Sequence, residues 1–208
     1  MNKGLLVIIS GPAGSGKGTV IAELTKGREN EFRYSVSATT RKPRPTDVDG
    51  VTYRFMTREQ FEVLIADGEM LEYAEYVDNY YGTPARPVYE ALNDGKNVIL
   101  EIETIGALKV KQKVPDAVMI MILPPDGKTL EARLRGRGTE SDEVIIKRMR
   151  TAIGEVAKLD KYDYIVINDD GCAAKAAEDI YSILRAEKLK TGRNLHIRDD
   201  YFASEKKN

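Results

Sequence analysis

The chain has 208 residues, of which 42% are hydrophobic and 31% charged, the composition of an ordinary globular protein. Its 32 basic residues are balanced by 33 acidic ones, which argues against a protein that coats nucleic acid or an anionic membrane. The single cysteine, Cys172, excludes a disulfide within the chain, and the single histidine, His196, argues against zinc binding and histidine catalysis. No apolar run approaches membrane-spanning length, and we expect a cytoplasmic protein with no nucleic-acid or membrane partner.

Four apolar runs predict buried strands. They are continuous rather than alternating, which is typical of a parallel sheet covered on both faces. Amphipathic segments between them predict helices, and Thr57 with Gln60 predicts a capping box at the start of one of these. The strands are predicted at 5–10, 98–102, 118–123 and 164–167, and the helices at 18–26, 57–67, 86–93, 104–114, 128–134, 142–159 and 172–189. This alternation predicts an α/β fold with a doubly wound parallel sheet.

Residues 38–81 interrupt the alternation of strands and helices. Pro43, Pro45 and Gly50 divide the segment, and residues 51–55 alternate in polarity like a half-exposed strand. We predict an inserted lobe here with a mixed or antiparallel β-sheet. Outside the lobe we predict a core, a short arginine-rich lid and a polar, partly disordered tail. The core is assigned to 1–37, 82–134 and 149–189, the lobe to 38–81, the lid to 135–148 and the tail to 190–208.

The first predicted turn has the features of a phosphate-binding loop. Gly11, Gly14 and Gly16 permit a curled backbone whose N–H groups point inward at a helix N-terminus, where the macrodipole favours an anion. Lys17 adds a mobile cation for the outer phosphates. The spacing Gly-x-x-x-x-Gly-Lys predicts a P-loop, with a glycine-rich turn that binds no ligand as the alternative. The residues assigned to ATP in this loop are Gly11, Pro12, Ala13, Gly14, Ser15, Gly16, Lys17, Gly18 and Thr19.

One position of the loop departs from the usual motif. A Walker A loop carries Ser or Thr directly after the lysine, where the hydroxyl reaches Mg²⁺, but this chain has Gly18 there and Thr19 one residue later. One residue rotates a helical side chain by about 100°. The motif therefore predicts the role of Lys17 more firmly than the metal contact of Thr19.

Two acidic residues follow the second apolar run. Glu101 and Glu103 are two residues apart, so on a strand their side chains face the same side. P-loop enzymes place an acidic residue near the metal on a second strand. We therefore name Glu101 and Thr19 as candidate Mg²⁺ ligands, directly or through water, and Glu103 as a candidate substrate contact. The alternative is a pair of surface acids at a strand end.

Weaker signals lie in and beside the predicted lobe. Arg41 and Arg44 stand in a proline-rich loop that suits a bidentate anion clamp, although such a run is more often a solvated basic patch. Glu72 lies among acidic and aromatic residues that could equally form a strand edge. Tyr81 and Thr83 belong to a turn whose hydroxyls could face a ligand or simply pack. Only the occurrence of these features together indicates a second substrate.

Taken together, these segments resemble the guanylate kinase family. They follow the family's order and approximate spacing, with Tyr73 where many members carry Trp, and with Gly18 within the range of nucleoside monophosphate kinases. The matching segments are residues 10–17, 34–41, 43–44, 79–82, 100–103 and 137–140. The resemblance implies a P-loop NTPase core, a GMP-binding lobe, and transfer of a phosphoryl group from ATP to GMP with Mg²⁺, in purine nucleotide metabolism.

The resemblance also implies residue roles. Arg41, Arg44, Tyr53 and Tyr81 would hold the GMP phosphate, and the guanine would be read by Ser37, Glu72, Thr83 and Glu103. Arg133, Arg137 and Arg148 would grip ATP and the phosphoryl group being transferred. The residues expected to take part in catalysis are Lys17, Arg41, Arg137 and Arg148.

Two other functions stay open from the sequence. A nucleoside monophosphate kinase of different specificity would share the loop and the lid but would not need Ser37, Glu72 and Thr83 at these positions. A guanylate-kinase-like interaction module without activity has typically lost the phosphate loop, which is intact here. We expect ATP and GMP as ligands, with dGMP as a further candidate, and a monomer or weak homo-oligomer.

Overall fold

The elements of the chain alternate between strands and helices over most of its length. The computed structural model describes residues 3–136, 138 and 141–201. The strands are β1 (Leu6–Ser10), β2 (Phe32–Tyr34), β3 (Ala38–Thr39), β4 (Arg54–Phe55), β5 (Met70–Tyr76), β6 (Asn79–Pro84), β7 (Asn97–Glu101), β8 (Val118–Leu123) and β9 (Tyr164–Ile167). The helices are α1 (Lys17–Thr25), α2 (Arg58–Ala66), α3 (Ala85–Asn93), α4 (Thr104–Lys113), α5 (Gly127–Gly136), α6 (Asp142–Val156), α7 (Ala173–Leu189) and α8 (His196–Asp200).

A five-stranded sheet in the order β2-β7-β1-β8-β9 forms the centre of the core, and every neighbouring pair is parallel. Its central strand is buried on both faces. Val7 and Ile9 pack into a cluster with α1 and α7, whereas Leu6 and Ile8 pack into a second cluster with α3 and α4. The alternation arises because successive strand side chains point to opposite faces. The predicted doubly wound α/β fold is confirmed.

The sequence predicted four of the five core strands. It missed β2, which has three residues and only one buried side chain, Phe32. Such a short strand has no apolar run to reveal it and depends on its pairing with β7. The seven predicted helices are present with small shifts at their ends. The largest shift is in α6, which ends at Val156 and is followed by a separate 3-10 turn at Leu159–Lys161.

A second, mixed sheet follows the first two strands in the chain. Its order is β4-β3-β6-β5, with β3 parallel to β4 and the other pairs antiparallel. Helix α2 covers this sheet through Phe61, which is fully buried. The predicted capping box is present, since the Thr57 hydroxyl accepts from the Gln60 N–H and the Gln60 side chain accepts from the Thr57 N–H. The exact boundaries of the lobe, lid and core stay predictions.

After α7, the side chain of Arg193 ties the chain to the core. A 3-10 turn at Thr191–Arg193 precedes α8. Arg193 Nη2 donates to the Asp116 carbonyl oxygen at 2.7 Å and to the buried Glu187 carboxylate at 3.0 Å. Residues 202–208 of the predicted tail lie outside the described residues. Within the described part of the chain, none of the helices has the length and apolar character needed to cross a bilayer.

Candidate active site

The loop between β1 and α1 requires glycine at its turning points. Gly11, Gly14 and Gly16 have φ values of 151°, 93° and 84°, a region that L side chains rarely adopt. A Cβ on Gly11 would lie 2.2 Å from the Ile122 carbonyl oxygen, and a Cβ on Gly16 would lie 2.3 Å from the Asn168 side-chain nitrogen. The strand, loop and helix therefore occur in the order that a phosphate loop needs, with glycine required by both conformation and space.

Gly18 stands where the usual motif has Ser or Thr, and its surroundings do not require glycine. A Cβ on Gly18 would have no heavy atom within 4 Å, so neither space nor a positive φ requires glycine there. Gly16 is the N-cap of α1, which begins at Lys17. Thr19 is exposed on the first turn of that helix. Its hydroxyl is therefore accessible at the helix end where an anion is favoured.

The Lys17 side chain folds across the loop. Its Nζ donates to the Gly11 carbonyl oxygen at 2.6 Å and to the Pro12 carbonyl oxygen at 3.2 Å. The ammonium group thus lies beside the start of the loop. From there it can meet phosphate oxygens held by the loop N–H groups.

Arg133 lies behind the loop and joins it to the end of β9. Its Nη2 donates to the Asn168 carbonyl oxygen at 2.7 Å, and its guanidinium pairs with Asp170 at 2.7 Å. The buried Asn168 side chain donates from Nδ2 to the Ser15 carbonyl oxygen at 2.9 Å. Sequence reasoning named Arg133 but missed Asn168. Asn168 could have been found from its position directly after the last buried strand. The carboxyl ends of parallel strands lie at one edge of the sheet, which places Asn168 on the same edge as the loop after β1.

The two acids after the second apolar run do not share a strand. β7 ends at Glu101, and Glu103 is the exposed N-cap of α4, so the prediction that both face one side of a strand is wrong. Helix α4 begins at Thr104, so β7 ends before it could include Glu103. Glu101 pairs in register with Ile9 of β1 and accepts from the Tyr34 hydroxyl at 3.0 Å. Burial and the Glu101 carboxylate together raise the pKa of Tyr34, which therefore stays a hydrogen-bond donor.

A third carboxylate, which the sequence analysis missed, reaches the same region from α6. Burial raises the pKa of Glu155, while the positive charge of Lys17 lowers it and the negative charge of Glu103 raises it. Glu155 therefore lies within electrostatic reach of the loop lysine. The sequence did contain a sign of this carboxylate. Glu155 follows the half-buried Arg148 by seven residues on the same helix, so the two side chains lie on one face. Arg137 lies outside the described residues.

In the lobe, an aspartate organises the arginine loop. Arg41 Nη2 donates to Asp47 Oδ2 at 2.9 Å, and the same oxygen accepts from the Arg44 backbone N–H at 2.7 Å. The Arg41 guanidinium also lies 5.5 Å from the centroid of the Tyr53 ring. The Arg44 N–H and the Arg41 guanidinium hold the pKa of Asp47 below its usual range although partial burial opposes them, so the carboxylate stays charged. Asp47 was not among the predicted residues, although it follows Arg44 by three residues, a turn spacing.

The other predicted phosphate contacts lie close by. The Tyr53 and Tyr81 rings have centroids 6.0 Å apart in an edge-to-face arrangement. Arg44 is exposed, and its side chain is available to solvent and ligand. Ser37 lies at the start of the mixed sheet, where its carbonyl oxygen accepts from the Arg54 N–H at 2.8 Å. The structure thus brings the Arg41 and Tyr53 side chains together and places Tyr81 against Tyr53.

Glu72 and Thr83 form a buried pair on adjacent strands. The Thr83 hydroxyl donates to Glu72 Oε1 at 2.8 Å, and the two residues are 8% and 1% exposed. Burial raises the pKa of Glu72, against the Thr83 hydrogen bond and the charges of Lys109 and Lys113, which lower it. The Thr83 hydroxyl, expected to face guanine, therefore fixes the carboxylate in this structure.

A chain of contacts links the phosphate loop to this buried pair. The Ser10 hydroxyl donates to the Ile102 carbonyl oxygen at 2.8 Å, which fastens the start of the loop to the segment that enters α4. Helix α4 then packs on β5, the strand of Glu72. One hydrogen bond and the packing of α4 on β5 therefore connect the predicted phosphate loop to a carboxylate in the mixed sheet.

The residues predicted to hold Mg²⁺, Thr19 and Glu101, both carry oxygen donors. Among residues 3–136, 138 and 141–201, no group of three or more His, Cys, Asp or Glu side chains could hold a metal ion. Mg²⁺ is usually held by one or two side-chain oxygens together with substrate phosphates and water. The exposed Thr19 and the half-buried Glu101 carry oxygen donors of that kind.

Comparison with known proteins finds one family over nearly the whole chain. The family model described as Guanylate kinase matches residues 3–187. A guanylate kinase of Carboxydothermus hydrogenoformans is 51% identical over 193 residues, covering 93% of both chains. That of Streptococcus pneumoniae strain R6 is 55% identical over 186 residues, covering 89% of this chain and 88% of the other. The crystal structure of guanylate kinase from Anaplasma phagocytophilum is similar with a TM-score of 0.71 and 31% identity, covering 93% of this chain and 90% of that one.

Proposed function

This chain belongs to the guanylate kinase family, and from that membership we infer that it is an enzyme that transfers the γ-phosphoryl group of ATP to GMP, giving ADP and GDP. The observation that supports this most directly is the connection of a glycine-dependent phosphate loop to the buried Glu72–Thr83 pair. A phosphate loop alone would suit any nucleoside triphosphate. The Glu72 carboxylate in the mixed sheet can accept from the N–H groups of guanine, which would favour GMP as the acceptor.

The donor nucleotide lies along the loop in this proposal. Backbone N–H groups of residues 13–19 bind the ATP phosphates at the N-terminus of α1, and Lys17 leaves the Gly11 and Pro12 carbonyl oxygens to meet the outer phosphates. Arg133 supports the loop from behind through Asn168. Arg133 thus holds the ATP site in shape and also adds positive charge to it.

The acceptor nucleotide occupies the lobe. Guanine presents ring N–H and exocyclic NH₂ donors, which the carboxylates of Glu72 and Glu103 can accept. The Ser37 hydroxyl can donate to its O6 atom, and the Thr83 hydroxyl, which donates to Glu72 in this structure, would hold that carboxylate in place for the base. Adenine presents a ring-nitrogen acceptor where guanine has a donor and would leave buried polar groups unpaired, which produces rejection ratios of about 10⁴ or more.

The GMP phosphate lies against the arginine loop. Arg41, Arg44, Tyr53 and Tyr81 surround it, with Asp47 fixing the direction of the Arg41 guanidinium before the substrate arrives. A preoriented guanidinium loses less conformational freedom when it binds an anion. We therefore assign Asp47 a positioning role.

Transfer needs no general base, because the attacking oxygen of the GMP phosphate is already anionic. The chain's contribution is to align the two phosphates and to neutralise charge as it spreads over the transferred group. We assign this work to Lys17, Arg41, Arg137 and Arg148. Thr19 and Glu101 would hold Mg²⁺ directly or through water, and the ion would neutralise the β- and γ-phosphate charges of ATP.

Water is the competing phosphoryl acceptor. Closure of the lobe and of the predicted lid over both substrates would exclude it, so we expect weak ATP hydrolysis without GMP. We also propose a cytoplasmic location and a monomer or weak homo-oligomer, with no nucleic-acid partner.

The test is substrate choice. The purified protein is offered GMP, dGMP, AMP, CMP and UMP in turn with ATP, with and without Mg²⁺, and ADP is measured by chromatography so that the readout itself needs no metal. We expect turnover with GMP and Mg²⁺ and rejection of AMP by about 10⁴ in kcat/KM. Preference for AMP or a pyrimidine nucleotide would favour a kinase of different specificity, and inactivity with all five would favour a non-catalytic interaction module.

A further inference from the structure

Gly106 lies in α4 directly opposite the Glu72 carboxylate. A Cβ at this position would lie 3.0 Å from Glu72 Oε2 and 3.4 Å from its Cδ, so one contact would be tighter than ordinary van der Waals contact. The backbone at Gly106 has no positive φ, and conformation gives no reason for glycine. Since glycine weakens a helix relative to alanine, space for the carboxylate is the physical reason that remains.

The helix is held against the strand of Glu72 by two lysine side chains. Lys109 Nζ donates to the Tyr73 carbonyl oxygen at 2.9 Å, and Lys113 Nζ donates to the Met70 carbonyl oxygen at 2.8 Å. These two bonds bracket Glu72 along β5. Val110, between the two lysines on α4, is fully buried in the core cluster that covers one face of the parallel sheet. An added methyl group would therefore displace Glu72 rather than the helix.

The carboxylate is fixed on its other side as well. Glu72 Oε1 accepts from the Thr83 hydroxyl at 2.8 Å, while Oε2 faces Gly106. A shift of Oε2 away from α4 would rotate or break the bond to Thr83. The two contacts together define one position for the carboxylate.

We propose that Gly106 is a specificity-positioning residue, because the notch that it leaves in α4 sets the place of the Glu72 carboxylate that accepts from guanine. The inference rests on the proposed function, since it takes Glu72 as a guanine contact. It adds that the acceptor specificity depends on a residue without a side chain, on a helix of the core rather than in the lobe.

The test is the Gly106→Ala variant. We expect the KM for GMP to rise roughly tenfold, as overpacking of a well-fitted site does, with kcat and the KM for ATP within about twofold of the parent. The kcat/KM preference for GMP over AMP should fall with it. The melting temperature should stay close to that of the parent, because the helix propensity gained with alanine opposes the cost of the weakened Glu72–Thr83 bond. A loss of GMP affinity without a loss of stability separates positioning from simple damage to the fold.

Gly154 provides the matched control. It lies inside α6, and a Cβ there would have no heavy atom within 4 Å, so Gly154→Ala should change neither KM. A double-mutant cycle with Glu72→Gln tests whether Gly106 acts through the carboxylate. If it does, Gly106→Ala should add less than about twofold to the GMP KM of the Glu72→Gln variant, because the two effects are coupled.

Three results would overturn the inference, and they differ from one another. A normal GMP KM in Gly106→Ala, together with a raised one in Glu72→Gln, would leave the guanine site in place and remove Gly106 from it. A lower melting temperature with equal losses for ATP and GMP would assign Gly106 to general packing. A normal GMP KM in Glu72→Gln would remove the proposed role of Glu72 and the role of Gly106 with it.

Discussion

The phosphate loop and the lobe hold their proposed ligands by different structural means. The loop is one continuous run of residues whose shape is fixed by three glycines with positive φ and by close backbone contacts. The lobe assembles its groups from separate strands and loops, through side-chain bonds such as those of Arg41 with Asp47 and of Thr83 with Glu72. The comparison teaches that the general function, phosphate binding, is encoded locally. The choice of acceptor, as proposed, would depend on contacts between separate elements, such as Gly106 of α4 beside Glu72 of β5.

The phosphate loop and the arginine loop of the lobe also differ in how deeply their surroundings are buried. The loop follows a strand at the centre of a parallel sheet, with Ile8 and Ile9 fully buried. The arginine loop stands at the edge of a small mixed sheet, and Arg44 is exposed. We expect substitutions in the loop to act on the chemical step. Substitutions in the lobe should act on GMP binding.

The largest expected effect is on the loop side. Lys17→Ala should lower kcat by about a thousandfold, because it removes a cation from the phosphates that carry the transition-state charge. Lys26→Ala, an exposed residue at the other end of α1, is the control and should leave kcat unchanged. ADP formation and thermal unfolding are measured for both. Near-normal turnover in Lys17→Ala would break the comparison, since the loop would then have no part in transfer.

A smaller effect is expected from the arginine loop. Asp47→Asn should raise the KM for GMP roughly tenfold with little change in the KM for ATP, because the Arg41 guanidinium loses a charged hydrogen-bond partner. Asp67→Asn, at the exposed C-cap of α2, is the control. Steady-state kinetics with each nucleotide varied in turn give both constants. A lower KM for GMP would instead show that Asp47 competes with the phosphate for Arg41.

The smallest effect concerns pH. Because burial raises the folded-state pKa of Glu72 above 4.5, folding favours its protonated form, and its contribution to stability falls as the pH rises from 4.5 through that pKa. GMP binding should change in the opposite direction, since guanine N–H groups need the ionised carboxylate. Over this range the affinity for GMP should therefore increase, while the part of the melting temperature that is due to Glu72 declines.

The Glu72→Gln variant isolates this pH effect. The GMP phosphate titrates near pH 6 with either protein, so only the difference between parent and variant reports on residue 72. Calorimetric GMP titrations and thermal unfolding from pH 4.5 upward supply both curves. Parallel curves for the two proteins would mean that the Glu72 carboxylate does not titrate in the guanine site.

The sequence by itself predicted the α/β core, four of its five strands, and a phosphate loop at its first turn. These features are local, since a buried parallel strand needs a continuous apolar run and a phosphate turn needs glycine and lysine at fixed spacing. β2 escaped because three residues with one buried side chain carry no such pattern. The guanine and phosphate contacts of the lobe came from a resemblance to a family, and their individual roles stay predictions.

Only the tertiary structure decided how the groups of the site are held. It made Glu103 a helix cap rather than a strand residue, paired Arg41 with Asp47, and placed Gly106 beside Glu72. The place of Glu103 depends on where α4 begins, the Arg41–Asp47 bond depends on how one loop folds, and the Gly106–Glu72 contact depends on how α4 packs on β5. The sequence specifies what a nucleotide's phosphates need, and the packing of α4 on β5 fixes the place of the carboxylate proposed to select the base.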